Sequence, residues 1–253
     1  MGPLKDFLSR RRPREDTPPA SAVPPQENRF QVVVHLGGLI RLRREYEERY
    51  IILHRHVFPE VAERIRKSNI RNYSIFLSGG ILFSHLEYVG SDHAADMAAM
   101  ADPVTKEWWK LTDPMQMPLR TRKKGEWWSP ALFLGHFGGA VDLPAHGMRW
   151  AFRRQIGRVS PGRLRSFVEQ VRTGMVPALR ARGLQNVSLY SRDGWLYVYG
   201  EYSGSRWEAD GAAFLEDPAT VAIEKGFLAL LGAKKGRADR KAWEPMREVF
   251  HQK

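Results

Sequence analysis

One stretch of this chain occurs twice, and that repetition limits the fold more than any other feature. "NYSIFLSGGILFSHLEYVG" (72–90) lies on "NVSLYSRDGWLYVYGEYSG" (186–204) without gaps, at a constant offset of 114. Asn72, Ser74, Gly80, Leu82, Glu87, Tyr88 and Gly90 meet identical residues at Asn186, Ser188, Gly194, Leu196, Glu201, Tyr202 and Gly204. At an offset of 115, Asp102-Pro103 meets Asp217-Pro218, and Trp128-Ser129-Pro130 meets Trp243-Glu244-Pro245. Order and spacing hold over a long stretch, so one supersecondary unit is used twice.

Each unit has the same expected order. Alternation in "RFQVVVHL" (29–36) predicts a strand. Helical spacing runs from Arg41 to Ser68, with a kink or break at Pro59, which lacks an N–H donor. "NYSIFL" and "ILFSHLEY" flank a Gly-containing turn and read as a hairpin. Ser91 or Asp92 caps a second helix expected to reach about Leu111, and a final strand follows Trp128. The Gly pairs at 37–38, 79–80 and 138–139 read as turns. This β-α-β-β-α-β order predicts an α+β fold of two tandem ferredoxin-like units. One unit alone leaves an apolar sheet face uncovered. Two can bury those faces against each other, as an intramolecular dimeric α/β barrel. The expected boundaries are a flexible Pro-rich tail at 1–28, a first unit at 29–136, a linker at 137–147 and a second unit at 148–253.

The chain has 253 residues and no cysteine, which excludes disulfides, thiolate nucleophiles and Cys-ligated metals. No apolar run is long enough to span a membrane, and no secretory leader is evident, so a cytoplasmic protein is expected. The net charge of +12 raises the question of a polyanion partner. The excess is spread, with local clusters at "RTRKKG" (120–125) and "KKGRADRK" (234–241). Solvated loops and helix ends account for these, and neither unit carries the Lys/Arg-Gly-aromatic strand motif of RNA-recognition folds. Nucleic acid is therefore not an expected partner. No phosphate loop or dinucleotide glycine motif is present, so no cofactor is expected. His54 and His56 lack a third ligand at metal spacing, so no metal is expected there.

The chemistry concentrates in "YIILHRHVFPEV" (50–61). Tyr50 and His54 stand four apart, about one helical turn, and share a face. Phe58-Pro59-Glu60 follows, then Asn72-Tyr73 at the start of the next strand and Trp108-Trp109 in "EWWK". In this order and spacing, residues 29–136 resemble the L-rhamnose mutarotase family, whose pattern has Trp where Phe58 stands. The resemblance implies a cofactor-free isomerase. His54 would be the acid/base, Tyr50 would assist, and Tyr73, Trp108, Trp109 and Phe58 would line a sugar site.

The residue chemistry is compatible. Mutarotation opens a hemiacetal by moving a proton from the anomeric hydroxyl and delivering one to the ring oxygen, and histidine can serve either step. Tryptophan faces suit the C–H face of a pyranose. The bland alternative is an amphipathic helix whose histidine is structural. The second unit keeps the hairpin and "WEPMREVFH" but has neither His nor Tyr in its first helix, and Val187 replaces Tyr73. It reads as a scaffold without a site. Two further readings stay open: a repurposed proton-transfer cyclase or dehydratase for a polyketide-like product in secondary metabolism, and a non-enzymatic binding module. The expected partner is a small-molecule substrate. The expected state is a monomeric pseudo-dimer or a weak homo-oligomer.

Overall fold

The computed structural model describes residues 32–139, 143–230 and 243–253. The tail, residues 29–31 of the first unit, part of the linker and the basic cluster at 234–241 lie outside them. Among the described residues no helix is long and apolar enough to cross a membrane.

The first unit runs β1 (Val34–Leu42), α1 (Glu47–Arg55), α2 (Pro59–Lys67), β2 (Ile70–Ser78), β3 (Ile81–Tyr88), α3 (His93–Ala99), α4 (Pro103–Thr112), β4 (Gln116–Met117), β5 (Ser129–Pro130) and β6 (Leu132–Phe137). The second runs β7 (Met148–Gln155), α5 (Pro161–Gln170), α6 (Val176–Ala181), β8 (Leu184–Arg192), β9 (Trp195–Tyr202), α7 (Trp207–Glu216), α8 (Pro218–Leu230) and β10 (Glu244–Gln252). A π-helical turn, Val171–Met175, joins α5 to α6.

Each long helix expected from periodicity is two helices. Pro59 cannot donate to a preceding turn, so α1 ends and α2 restarts with proline in its first turn. Asp92 caps α3 by accepting from the Ala95 N–H (2.9 Å), and Asp102 caps α4 by accepting from Thr105 (2.7 Å). The hairpins match the reading. Gly79 and Gly80 have φ of +53° and +71°, and Asp193 and Gly194 have +51° and +78°. Both pairs suit a turn needing left-handed backbone at its two central residues.

The first strand lies further along than expected. Val34–Leu42 contains Gly37 and Gly38, which are therefore not a turn. Gly37 is required by packing: a Cβ there would stand 2.6 Å from Tyr190 Cδ1.

All strands join one antiparallel sheet in the order β4-β1-β3-β2-β10-β7-β9-β8-β6, with β5 also on β1. The two halves were expected to pack sheet against sheet. They do so across the barrel interior, and they are also hydrogen-bonded edge to edge through exchanged closing strands. β10 starts on its own unit, with Glu244 opposite Arg153, and then pairs along β2, with Arg247 opposite Leu77. The β5–β6 segment does the converse: Ser129 faces Leu39 and Leu132 faces Ser191. Every pairing of one crossing recurs in the other, at offsets of 115 on the closing strand and 114 on its partner. The Ala131 N–H donates to Gly37 O (2.9 Å) where β5 passes into β6, so the curled sheet meets itself.

Strand alternation now has two insides. On β3, Leu82 and Leu86 face outward into a core shared with α1–α4. Phe83 faces inward and packs with Tyr190, Tyr197 and Tyr199 across the barrel. A matching outer core in the second unit gathers Leu164, Phe167, Val187, Leu189 and Phe227.

Candidate active site

The expected site residues come from three elements of the first unit. α1 carries Tyr50 and His54, β2 carries Tyr73, and α4 carries Trp108 and Trp109. All five are buried. His54, Tyr73, Trp108 and Trp109 line one cavity of about 60 Å³ between the sheet and the helices, with Val57, Val61, Ile65, Ile75, Met100, Thr105 and Phe250. Phe58 stands beside it, edge-on to Trp108 at 5.3 Å. His56, the residue that ends α1, is exposed.

His54 is held by its own helix. Its Nδ1 lies 2.9 Å from the Tyr50 carbonyl oxygen. A carbonyl only accepts, so Nδ1 carries the proton and Nε2 is left with a free lone pair. The ring stacks on Tyr50 at 3.9 Å and meets the edges of Trp108 (5.2 Å) and Phe250 (5.9 Å). Burial drives the His54 pKa down to about 4, against a smaller upward pull from the Tyr50 hydrogen bond. At neutral pH His54 is an unprotonated base.

Tyr50 sits behind His54 rather than on the cavity. Its hydroxyl accepts from Gln116 Nε2 (3.1 Å), and Gln116 Oε1 accepts from Trp127 Nε1 (2.9 Å). Burial pushes the Tyr50 and Tyr73 hydroxyls well above the ordinary tyrosine value, so both are neutral. Three residues of this region were not picked out from sequence. Thr105, on α4, is buried, and its Oγ1 has no hydrogen-bond partner. Gln116 follows α4. Phe250 comes from β10, so the second unit supplies a wall of the first unit's cavity. The likeness of "WEPMREVFH" to the family's closing strand was the available signal for Phe250.

The depressed pKa makes an acid-stability prediction. In the unfolded chain a histidine titrates near 6.5. The unfolded state therefore binds the proton first as pH falls. The contribution of neutral His54 is complete above about 6.5 and is lost as pH falls toward 4. By pH 4 the loss is about 3 kcal/mol. Urea unfolding of wild type and His54→Gln from pH 7.5 to 4.5 checks this: the wild type should lose stability more steeply. Parallel curves would show that His54 does not titrate as a buried group.

Two solved structures share the overall architecture. A proposed monooxygenase from Fusobacterium nucleatum superposes with a TM-score of 0.50 at 9% identity, over 88% of this chain and 95% of that one. A proposed monooxygenase from Lactobacillus acidophilus gives 0.51 at 10% identity, over 86% and 95%. At that identity the likeness speaks for the fold, and with the exchanged strands it defines a dimeric α/β barrel made within one chain. The family is narrower than the fold. A model of L-rhamnose mutarotase matches residues 35–132. The L-rhamnose mutarotase of Lactiplantibacillus plantarum is 32% identical over 85 residues, which are 33% of this chain and 80% of that protein. That of Oceanobacillus iheyensis is 32% identical over 73 residues, 28% of this chain and 64% of its own length. The chain belongs to the L-rhamnose mutarotase family.

Proposed function

We propose that the first unit is a cofactor-free isomerase that interconverts the anomers of an aldose, with His54 as the acid/base. The observation that carries this reading is the tethered His54 ring: Nδ1–H is fixed on the Tyr50 carbonyl, which leaves Nε2 as the basic atom beside the cavity. His54 Nε2 takes the anomeric hydroxyl proton as the C1–O5 bond breaks and the C1=O1 bond forms. The proton now on His54 Nε2 is delivered to O5, with the Tyr73 hydroxyl, which stays neutral, as a hydrogen-bonding partner or as a relay that is refilled from His54 in the same step. Rotation about C1–C2 and reversal of the same steps closes the other anomer. Tyr50 acts as a positioning residue through its carbonyl and ring. Trp108 and Trp109 cover the sugar's apolar face.

The cavity as it stands has room for about two waters, and a pyranose is larger. On this reading the helices over the cavity move apart when the sugar binds. Closure of the barrel within one chain supports a monomer, and the fold and family support a soluble cytoplasmic enzyme. The natural-product cyclase alternative draws no support from the family match.

Saturation transfer between the anomeric proton resonances of L-rhamnose, with and without added protein, tests the reading. Protein-dependent exchange is the expected result. Spontaneous-rate exchange for L-rhamnose and for a panel of other aldoses would overturn it.

A further inference from the structure

The inner face of the sheet carries polar chemistry that the helix-side cavity does not use. His35 and Glu87 are cross-strand partners on β1 and β3, and His85 opposes Gly37 on the same face. One ligand atom from each of His35, His85 and Glu87 lies within 4.8 Å of the other two. His35 Nδ1 and His85 Nε2 are buried with no hydrogen-bond partner. His85 is fully buried, and its Nε2 stands 3.8 Å from Glu87 Oε1, beyond hydrogen-bond reach.

The surroundings are those of a cation site. His85 Nδ1 is 2.8 Å from the Tyr190 hydroxyl, which fixes the ring. Glu87 Oε1 accepts from Asn72 (2.9 Å) and Asn186 (3.0 Å), and the same two amides donate to Glu201 Oε1 (2.8 and 2.9 Å). Two carboxylates thus share one pair of donors, and among the described residues no Lys or Arg ion pair to either is found. Partners of this kind orient the ligands of metal sites.

We propose that the barrel interior binds one divalent transition-metal ion of zinc type through His35 Nδ1, His85 Nε2 and a Glu87 carboxylate oxygen. Tetrahedral zinc with bonds of about 2.0–2.1 Å needs ligand atoms about 3.4 Å apart, so the three side chains draw in slightly on binding. The fourth position is left for water or a small ligand. His136, stacked on His35 at 4.1 Å, forms a wall, and His35 and Glu87 are the less buried of the three ligands. The second unit has no equivalent, because Arg149 and Tyr199 occupy the positions of His35 and His85. Arg149 is bound to Glu248 instead (2.9 Å). This site is on the opposite face of the sheet from His54 and does not depend on the isomerase reading.

The test is titration of chelator-treated full-length protein with Zn²⁺ by calorimetry and by competition with a chromogenic chelator. One saturable zinc per chain and a raised Tm are expected. His35→Ala and Glu87→Gln, each checked for folding by circular dichroism, should weaken binding at least about 100-fold. His54→Ala should bind as wild type does. No saturable zinc in the wild type, unchanged affinity in both folded ligand variants, or loss of binding in His54→Ala would each overturn the proposal. A ligand variant that fails to fold is replaced by His35→Gln, read in the same way.

Discussion

His54→Ala lowers the rate of anomer exchange by about 10²–10⁴-fold, the usual cost of removing a general acid/base. The fold should survive, because His54 borders a cavity and its loss leaves fewer contacts unmade than a filled core position would. The pH profile carries independent information. His54 must be unprotonated to accept the anomeric proton, so kcat/KM rises with pH through about 4 and is level near neutrality. Tyr50→Phe keeps the ring and the backbone carbonyl and loses only the hydrogen bond from Gln116. Its expected loss is below the lower end of that range. A loss as large as that of His54→Ala would assign Tyr50 to proton relay or to binding a substrate hydroxyl. A stable and fully active His54→Gln would make His54 a structural residue. Thermal melts beside the rates separate inactivation from unfolding.

Asn72→Ala destabilises the protein by about 3–5 kcal/mol, from two hydrogen bonds to carboxylates and a strained backbone. Asn72 and Asn186 have φ of +47° and +50°, each within a break in strand register. Asparagine tolerates that backbone better than alanine does. The larger part of the loss is electrostatic. The Asn72 amide donates to two carboxylates, and its Oδ1 lies 2.9 Å from the Tyr199 hydroxyl. Removing it leaves charge underserved inside the barrel. Asn72→Gly separates the two effects, since glycine restores the backbone and about 1 kcal/mol but none of the hydrogen bonds. Urea unfolding of both variants gives the numbers. A loss under about 1 kcal/mol in Asn72→Ala would show that water replaces the amide at little cost.

The sequence was most legible where one residue dictates local geometry. Gly79-Gly80 and Asp193-Gly194 announced the hairpins, and Pro59 announced the helix break. Asp102-Pro103 belongs to the repeat, but periodicity alone predicts one helix where Asp102 caps a second, α4, that starts at Pro103. Gly37-Gly38 suggests a turn, which predicts β1 earlier in the chain than it lies. Only the fold shows that Tyr190, from the other unit, fills the space beside Gly37. The helix-side cavity was legible because His54 and Tyr73 lie close in sequence at motif spacing. Phe250 was not, since its place depends on β10 crossing to the first unit. The interior polar cluster was hidden for the same reason. Asn72/Asn186 and Glu87/Glu201 were visible as matched pairs in the repeat, but nothing short of strand register reveals that they meet.

The exchanged closing strands also bear on how the chain reaches this state. β2 acquires its outer neighbour only when β10 arrives, and Ser74 and its partner His251 are 177 residues apart in sequence. The barrel is consequently dominated by contacts of high sequence separation, whose loop-closure entropy must be met before they contribute, and such topologies fold slowly. Until then the first half presents an unpaired strand edge beside an uncovered face bearing Phe76 and Phe83, a surface open to mispairing with other chains. Duplication in one polypeptide raises the local concentration of the correct partner, and the same tether makes exchange between neighbouring molecules during synthesis the natural way for folding to go astray.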